Sequence, residues 1–312
     1  MTGDRSQFDK ALTPAKDTEV PSLTEGCSDE HVGWTSRTFR PHPSLAPWVR
    51  AYGALDDVHT ELTAEHRLYP ECLVLLTFLH GESYLGVGNE LRRLPPVYLQ
   101  KFREFPVRLR SCGRTRLVAV EFYPWGAIRL LGPPTSSNAE SPCSVPTQLS
   151  PAFATRMLRL LAADQQDEAV QLLEEWLLAR AAQIDPEPTA AVRAATRLVR
   201  SGGLGTVTDL ADGVGLSVRQ LERQFQAQVG MSPKSLARLT RFEAAQRRIV
   251  EARELSFTRL AHELGYADQA HFSREFRAFA EQSPGSFLAE MKDFLRRQGD
   301  VAFVQAERAA AI

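Results

Sequence analysis

The 312-residue sequence is poor in cysteine and contains no long hydrophobic run. Its longest near-continuous apolar stretch, residues 73–79, is far shorter than the roughly 20 residues that a helix needs to cross a bilayer. The four cysteines form no CxxC pair, and no metal-ligand spacing joins them. The first ten residues have no apolar segment after a basic start, so no secretory signal is expected. These absences predict a cytoplasmic protein with reduced thiols and no membrane partner.

Charge is nearly balanced over the whole chain, with a net charge of −1, but it is unevenly distributed. Residues 1–190 hold 19 Lys and Arg against 24 Asp and Glu, whereas residues 191–292 hold 15 against 11. The basic excess therefore lies in one C-terminal segment. An excess of this size is most often a solvated face, so it indicates nucleic-acid binding only alongside a more specific signal.

The N-terminal half has the pattern of a β-rich domain behind a polar tail. Residues 1–33 contain few large apolar side chains and are predicted to be disordered. Short apolar segments separated by Gly and Pro then follow within residues 34–135, and they are typical of strands in a small sandwich or barrel. These segments are CLVLLTFL (72–79), SYLGV (83–87), VYLQKF (97–102), VRLR (107–110) and RLVAVEFY (116–123).

Residues 136–190 are predicted to form a loop and a helical linker. Proline and serine fill residues 132–151, and residues 153–182 then carry an apolar stripe at helical spacing. The last segment, residues 293–312, is expected to be a C-terminal tail. With an all-α region at 191–292, the predicted fold class is α+β.

One internal repeat lies in that C-terminal region, between residues 210–236 and residues 260–287. The two copies match at an offset of 50 and, after one inserted residue, at 51. In each copy a short helix is followed by a glycine able to adopt a left-handed turn, Gly215 or Gly265. A capping residue, Ser217 or Asp268, then begins a second helix. Each copy therefore predicts a helix-turn-helix.

The second helix of each copy, near residues 217–229 and 268–280, is amphipathic. Its outer face is polar and cationic, and arginine and glutamine can pair with guanine and adenine edges in the major groove. A long helix over residues 232–252 would hold the two units apart, which suits successive major-groove segments about 34–36 Å apart. The outer-face residues are Arg219, Gln220, Glu222, Arg223 and Gln226 in the first copy, and Gln269, Ser273, Arg274 and Arg277 in the second.

Residues 191–292 resemble the DNA-binding domain of the AraC/XylS family of bacterial transcription regulators. The resemblance rests on SVRQLERQFQAQVGMSPKSLARLTRFEAAQRRI, LAHELGYADQAHFSREFRAF and SPGSF. It implies double-stranded promoter DNA as the partner, together with RNA polymerase, a small-molecule effector and a second copy of the chain. The base-reading positions that it implies are Arg219, Glu222 and Arg223 in the first unit and Gln269, Ala270, Ser273 and Arg274 in the second.

The second unit departs from that family's pattern. Glu281 and Gln282 stand where the family usually has a glycine before Ser-Pro, as Gly230 stands in the first unit. A non-glycine residue there costs about 1 kcal/mol if the turn is left-handed. Ala270 and Ser273 also offer only short contacts. The first unit is therefore expected to be the main reader.

The front half resembles a β-rich domain fused to AraC-type domains in a poorly characterised subgroup. The resemblance rests on HPSLAPWVRAYG (42–53), RLYPECLVLLTFLHGESY (67–84) and LVAVEFYPWGAIRLLG (117–132). It implies a sensor or assembly module.

Two other functions stay open: a metal- or cofactor-dependent enzyme domain fused to a DNA reader, and an architectural DNA-binding protein without a ligand. The histidines nearest one another form no His-x-His or HExxH pair, and no GxSxG motif occurs. GGLG (202–205) follows no predicted strand, so it does not indicate a phosphate loop. We therefore predict no catalytic residue, no metal and no cofactor. The acid-and-histidine neighbourhood in question consists of His59, Glu61, Glu65, His66, Glu71 and His80.

Overall fold

The structure, a computed structural model, describes residues 31–59, 65–87, 90–132, 143–144, 148–252 and 255–298. The chain divides into two compact units. Of the described residues, the first contains those up to Leu68 and those within Val74–Lys101 and Val107–Gln183. The second contains Tyr69–Leu73, Phe102–Pro106 and the described residues from Ile184 onward. Two short segments of the N-terminal half are therefore part of the C-terminal unit.

In the described residues, the first unit is built on an eight-stranded sheet in which the paired strands run antiparallel. The strand order is β1-β2-β7-β4-β6-β8, with β3 also paired to β7 and β5 to β4. The strands are β1 (His31–Phe39), β2 (Val49–His59), β3 (Glu65–Leu68), β4 (Val74–Val87), β5 (Glu90–Arg93), β6 (Val97–Gln100), β7 (Val107–Phe122) and β8 (Cys143–Ser144).

Two long strands, β4 and β7, form the centre of this sheet. Each combines two apolar segments that the sequence predicts as separate strands. Strand β4 runs over 74–87 and β7 over 107–122. The register shifts between His80 and Glu82, where Gly81 has φ 113°. A Cβ atom on Gly81 would lie 2.6 Å from the carbonyl oxygen of Arg114. The glycine therefore marks an irregularity within one strand rather than a turn between two strands.

Three helices complete the first unit: α1 (Pro124–Leu131), α2 (Pro151–Ala162) and α3 (Gln166–Ala181). Gln166 is buried and donates from Nε2 to the carbonyl oxygen of Leu55 on β2 at 2.8 Å. The ring of Phe153 on α2 lies 6.1 Å from the ring of Phe78 on β4. These contacts pack α2 and α3 against the sheet.

Residues 136–190 are expected from the sequence to be a loop and a helical linker between two domains, and the structure divides this range at Gln183. Its two helices belong to the first unit, which extends to Gln183 rather than ending at residue 135. The apolar stripe over residues 153–182 is split by Asp164, whose φ of 62° separates α2 from α3. The stripe packs on strands of the same unit, and sequence periodicity does not reveal which surface a helix covers.

The C-terminal unit is helical, and its core is rich in phenylalanine. Phe242 lies 5.0 Å from Phe276 and 5.1 Å from Phe279, measured between ring centroids. Its helices are α4 (Ala190–Arg200), α5 (Val207–Asp212), α6 (Val218–Gln228), α7 (Pro233–Glu251), α8 (Phe257–Glu263), α9 (Gln269–Ala280) and α10 (Pro284–Gln298).

A sheet-based unit and a helical unit confirm the predicted α+β class. Residues 31–33 of the expected N-terminal tail belong to β1, and residues 1–30 lie outside the described residues. In the expected C-terminal tail, α10 continues to Gln298, and residues 299–312 lie outside the described residues. Among the helices that the structure describes, none is long and apolar enough to cross a membrane.

Candidate nucleic-acid interface

The first repeat folds as the predicted helix-turn-helix, from α5 to α6. Thr206 and Asp209 form a capping box at the start of α5, and Gly215 takes φ 72° in the turn. Ser217 then caps α6, because its hydroxyl oxygen accepts from the backbone N–H of Gln220 at 3.3 Å. A glycine is suited to this turn, since a side chain at positive φ is strained.

The second repeat, from α8 to α9, has the same construction. Gly265 has φ 75°, and Asp268 caps α9 by accepting from the backbone N–H of His271 at 2.6 Å. That hydrogen bond is the largest cause that lowers the pKa of the Asp268 carboxyl, so the cap is charged at neutral pH. A negative cap is favourable at the positive end of the helix dipole.

The inner faces of α6 and α9 are anchored in the core as the sequence predicts. Leu221 and Phe225 of α6 are buried, as are Phe272 and Phe276 of α9. Since these positions recur at helical spacing, the opposite face of each helix is left toward solvent.

The outer face of α6 presents two arginines to solvent. Arg219 and Arg223 are exposed, and in the described part of the chain neither guanidinium makes a hydrogen bond or an ion pair. Glu222 lies exposed between them. Gln220 is exposed but engaged, because its Oε1 accepts from the Ser217 backbone N–H at 2.9 Å in the capping box. To pair with a base, Gln220 would have to leave this cap.

The outer face of α9 offers fewer long side chains. Arg274 is exposed and makes no hydrogen bond among the described residues, Ala270 is exposed, and Ser273 is half-buried. Gln269 accepts from the Thr258 hydroxyl through Oε1 at 2.8 Å, which ties the start of α9 to α8. Only Arg274 therefore combines length, charge and exposure among the second unit's predicted reading residues.

The turn after α9 is left-handed at a residue that is not glycine. Glu281 has φ 56° and ψ 13°. The next residue, Gln282, donates from Nε2 to the Tyr69 hydroxyl at 2.6 Å and to Oε2 of Glu290 at 2.5 Å. The Tyr69 ring contacts Phe287 edge-on at 5.1 Å. These contacts lie within the C-terminal unit and hold the turn in place.

The GGLG segment has a packing role. The N–H groups of Gly202 and Gly203 close the end of α4, bonding to the carbonyl oxygens of Val199 and Leu198. A Cβ atom on Gly203 would lie 2.3 Å from the carbonyl oxygen of Ala237 on α7. Gly203 thus lets the turn after α4 approach α7 closely. This packing accounts for the glycine without a phosphate-binding role.

Sequence reasoning missed two residues of this unit. Val218, at the start of α6, is 37% exposed and stands beside Arg219. Glu275, on α9, accepts hydrogen bonds from two arginines of α7. Comparing the two repeats position by position would have singled out Glu275, because its equivalent is the uncharged Gln224.

The acid-and-histidine neighbourhood of the sequence is only partly covered by the described residues. Within the residues that it describes, no three His, Cys, Asp or Glu side chains group as metal ligands. His59, Glu65 and His66 belong to β2 and β3, but their side chains, like Glu61, lie outside the described residues. Cys72 is buried, and its thiol donates to Glu243 Oε2 at 3.1 Å.

The C-terminal region is similar to known DNA-binding domains. Residues 210–290 match the family model described as a helix-turn-helix domain. The chain is 38% identical over 77 residues to the HTH-type transcriptional activator RhaS of Pectobacterium carotovorum, covering 25% of this chain and 27% of that protein. It is 34% identical over 100 residues to a probable bifunctional transcriptional activator/DNA repair enzyme, AlkA, of Mycobacterium tuberculosis, covering 31% and 20%. The predicted resemblance of this region to AraC/XylS regulators is confirmed.

The chain spans about a quarter of the length of the first of these relatives. Among solved structures, ToxT from Vibrio cholerae aligns over 76% of this chain and 98% of its own, with 11% identity and a TM-score of 0.44. The residues that match the family model, 210–290, lie in the helical unit.

Proposed function

Because residues 210–290 form a helix-turn-helix domain of the AraC/XylS type, we propose that this chain is a sequence-specific DNA-binding transcription regulator. The observation that carries the proposal is the repeated placement of an exposed arginine that makes no hydrogen bond within the described residues. Arg223 and Arg274 occupy equivalent positions in two helix-turn-helix units, and both are exposed on the face opposite a buried phenylalanine. Helices α6 and α9 then read two successive major-groove segments.

The side chains on α6 suit base recognition. A guanidinium can donate two hydrogen bonds to O6 and N7 of guanine, and Arg219 and Arg223 are free to do so. Glu222 can accept from the N4 amino group of cytosine, and the exposed Val218 can contact a thymine methyl group. The first two turns of α6 therefore carry donors, an acceptor and an apolar side chain.

The side chains on α9 can make fewer contacts with base edges than those on α6. Ala270 and Ser273 are short, and Gln269 is tied to Thr258. Arg274 is the one long cation among the predicted reading residues of this helix. We assign α6 as the main reader and α9 as the helix that extends the contact, with Arg274 placed to reach a phosphate or a base edge.

DNA binding is tested with the full chain. Selection from a random duplex library, followed by sequencing, identifies the preferred site. Fluorescence anisotropy on that site across a salt series should show affinity falling steeply with salt, since each neutralised phosphate releases counterions. Absence of binding at low salt would contradict the proposal. Binding without sequence preference would instead favour an architectural DNA-binding protein.

The proposed partners extend beyond DNA. They are promoter DNA in the cytoplasm, RNA polymerase, a second copy of the chain, and a small-molecule effector bound by the sheet-based unit. A thermal-shift screen of metabolites tests the effector, because a ligand that binds only the native state raises its apparent stability. Crosslinking of the protein to chromosomal DNA would map the promoters, and the neighbouring genes would name the signal.

The proposal contains no catalytic step, metal or cofactor. Similarity to the bifunctional relative covers only a fifth of that protein, so its DNA repair activity is not carried over to this chain. Metal analysis and hydrolase or oxidoreductase assays of the purified chain should be negative. About one tightly bound zinc or iron per chain, lost on substitution of His66 or His80, would favour a metal-dependent sensor or enzyme.

A further inference from the structure

Glu275 joins the second reading helix, α9, to the spacer helix α7. Arg238 donates from Nε to Glu275 Oε2 at 3.1 Å, and Arg241 donates from Nη2 to Oε1 at 3.2 Å. The Tyr266 hydroxyl, in the turn before α9, donates to the same Oε1 at 2.8 Å. The Glu275 side chain is only 11% exposed. We call these four residues the Glu275 cluster.

Glu275 is ionised in the folded protein, and this strengthens its contacts between α9 and α7. Burial alone would raise the pKa of Glu275, but the hydrogen bond from Tyr266 and the two guanidinium groups outweigh it and lower the pKa. Burial raises the pKa of Tyr266, so its hydroxyl stays protonated and donates. Charge-assisted hydrogen bonds shielded from water are stronger than those on a surface.

The arginines of the cluster also hold other parts of the unit. Arg241 donates from Nη1 to the Gly203 carbonyl oxygen at 3.1 Å, and its guanidinium lies 5.3 Å from the centre of the Tyr266 ring. The Arg238 guanidinium lies 4.9 Å from the Phe279 ring. The cluster therefore connects α7, α9 and the turns that precede α5 and α9.

The first reading helix has no corresponding link. The repeat places Gln224 of α6 at the position of Glu275, and Gln224 makes no hydrogen bond or ion pair within the described part of the chain. The two units thus differ in how the reading helix is fixed to the spacer.

We propose that Glu275 is a positioning residue that fixes the orientation of α9 on α7 and thereby sets the spacing between the two DNA segments that the domain reads together. The inference rests on the proposed DNA-binding function. Successive base pairs advance about 3.4 Å and rotate about 35° along the duplex. A rigid link between α7 and α9 holds the base-reading positions of α9, among them Ala270 and Ser273, over bases at one distance from those read by α6. A loosened link lets them reach neighbouring base steps as well.

The test compares spacing preference in the full chain. The site selected by the wild type is made with the two half-sites moved apart or together by one base pair, and affinity is measured for all three duplexes. Glu275→Gln keeps the shape of the side chain but removes its charge. We expect it to reduce the preference for the native spacing roughly fivefold or more, the size expected for losing a charge-assisted hydrogen bond.

Gln224→Ala is the matched control, and its spacing preference should equal that of the wild type. An equal loss of affinity at all three spacings in Glu275→Gln would show that the residue acts on stability alone and would overturn the inference. The inference is also overturned if Gln224→Ala reduces the preference for the native spacing as much as Glu275→Gln does. Failure of the wild type to bind any duplex would instead reject the proposed function.

Circular dichroism and thermal unfolding establish whether Glu275→Gln is folded. If it is not, Arg238→Gln decides the matter, because it removes one of the two ion pairs and leaves Arg241 and Tyr266 in place. Relaxed spacing in this variant supports the inference, and an unchanged spacing preference contradicts it.

Discussion

Glu281 and Gly230 occupy equivalent positions in the two repeat units, and both have left-handed backbones, with φ 56° and φ 81°. The helix that precedes each residue ends at that turn, and the chain then enters a Ser-Pro pair that begins the next helix. The fold thus requires the same backbone geometry at both places, although only one carries the residue suited to it.

The first prediction is that Glu281→Gly stabilises the protein by about 0.5–1 kcal/mol. Removing the Cβ atom relieves strain of roughly 1–2 kcal/mol, and the greater freedom of glycine in the unfolded chain offsets part of the gain. Chemical denaturation of the full chain measures the change. Gly230→Ala is the control and should destabilise the protein, while a destabilised Glu281→Gly would show that the carboxylate has a stabilising contact.

The second prediction compares two neighbouring glycines, both at positive φ. Gly202→Ala meets nothing within 4 Å and should cost about 1 kcal/mol from backbone strain alone. Gly203→Ala also places Cβ against the Ala237 carbonyl oxygen and should cost about 1–3 kcal/mol more through overpacking. Thermal unfolding of both variants checks the order. Equal losses would mean that the turn after α4 does not approach α7 as closely as described.

The third prediction separates the two reading helices. Arg223→Ala should weaken binding to the selected site by about 1–3 kcal/mol and relax the preference at one base step, as expected for loss of a paired contact with guanine. Arg274→Ala should cost less and act evenly on selected and shuffled DNA, as a phosphate contact would. Affinities of both variants on both duplexes decide this. A larger and more sequence-selective loss for Arg274→Ala would make α9 the main reader.

The fourth prediction concerns pH and the Glu275 cluster. Because the pKa of Glu275 is lowered in the folded protein, its charge contributes stability above the ordinary carboxyl value of 4.5. That contribution is lost as pH falls through the lower, folded pKa. The wild type should therefore lose stability relative to Glu275→Gln as the solution is acidified below about pH 4.5. Denaturation of both proteins between pH 3 and pH 7 measures the difference, and a constant difference would contradict the assigned charge state.

The helix-turn-helix units were predictable because their determinants are local. Gly215, Ser217, Gly265 and Asp268 each act within one turn of their own position, through backbone conformation or a cap. Inward-facing phenylalanines recur at helical spacing. A short stretch of sequence is therefore sufficient to place α6 and α9, and the structure confirms both.

The sheet was harder to predict, because its strands depend on partners far along the chain. Strand β2 contains Gly53, Asp56 and Asp57, which are residue types disfavoured in strands. In the structure Asp56 pairs with Arg114 and Arg116 of β7, and this cross-strand charge compensates for the poor propensity. No periodicity within β2 reveals those arginines. The two arginine partners of Glu275 are likewise distant, at 34 and 37 positions along the chain, so periodicity within α9 does not reveal them.

Because Tyr69–Leu73 and Phe102–Pro106 belong to the helical unit, that unit cannot be cut out as one continuous stretch of chain. A fragment that begins at Ile184 would lack the Tyr69 hydroxyl and ring, which removes one hydrogen bond from each of Gln282 and Glu290 and one ring contact from Phe287. A chimaera that joins α4–α10 to a different front half would suffer the same loss unless its new host supplied an aromatic hydroxyl at that place. In this chain, a junction placed at Ile184 therefore separates part of the helical unit's core from the helices against which it packs.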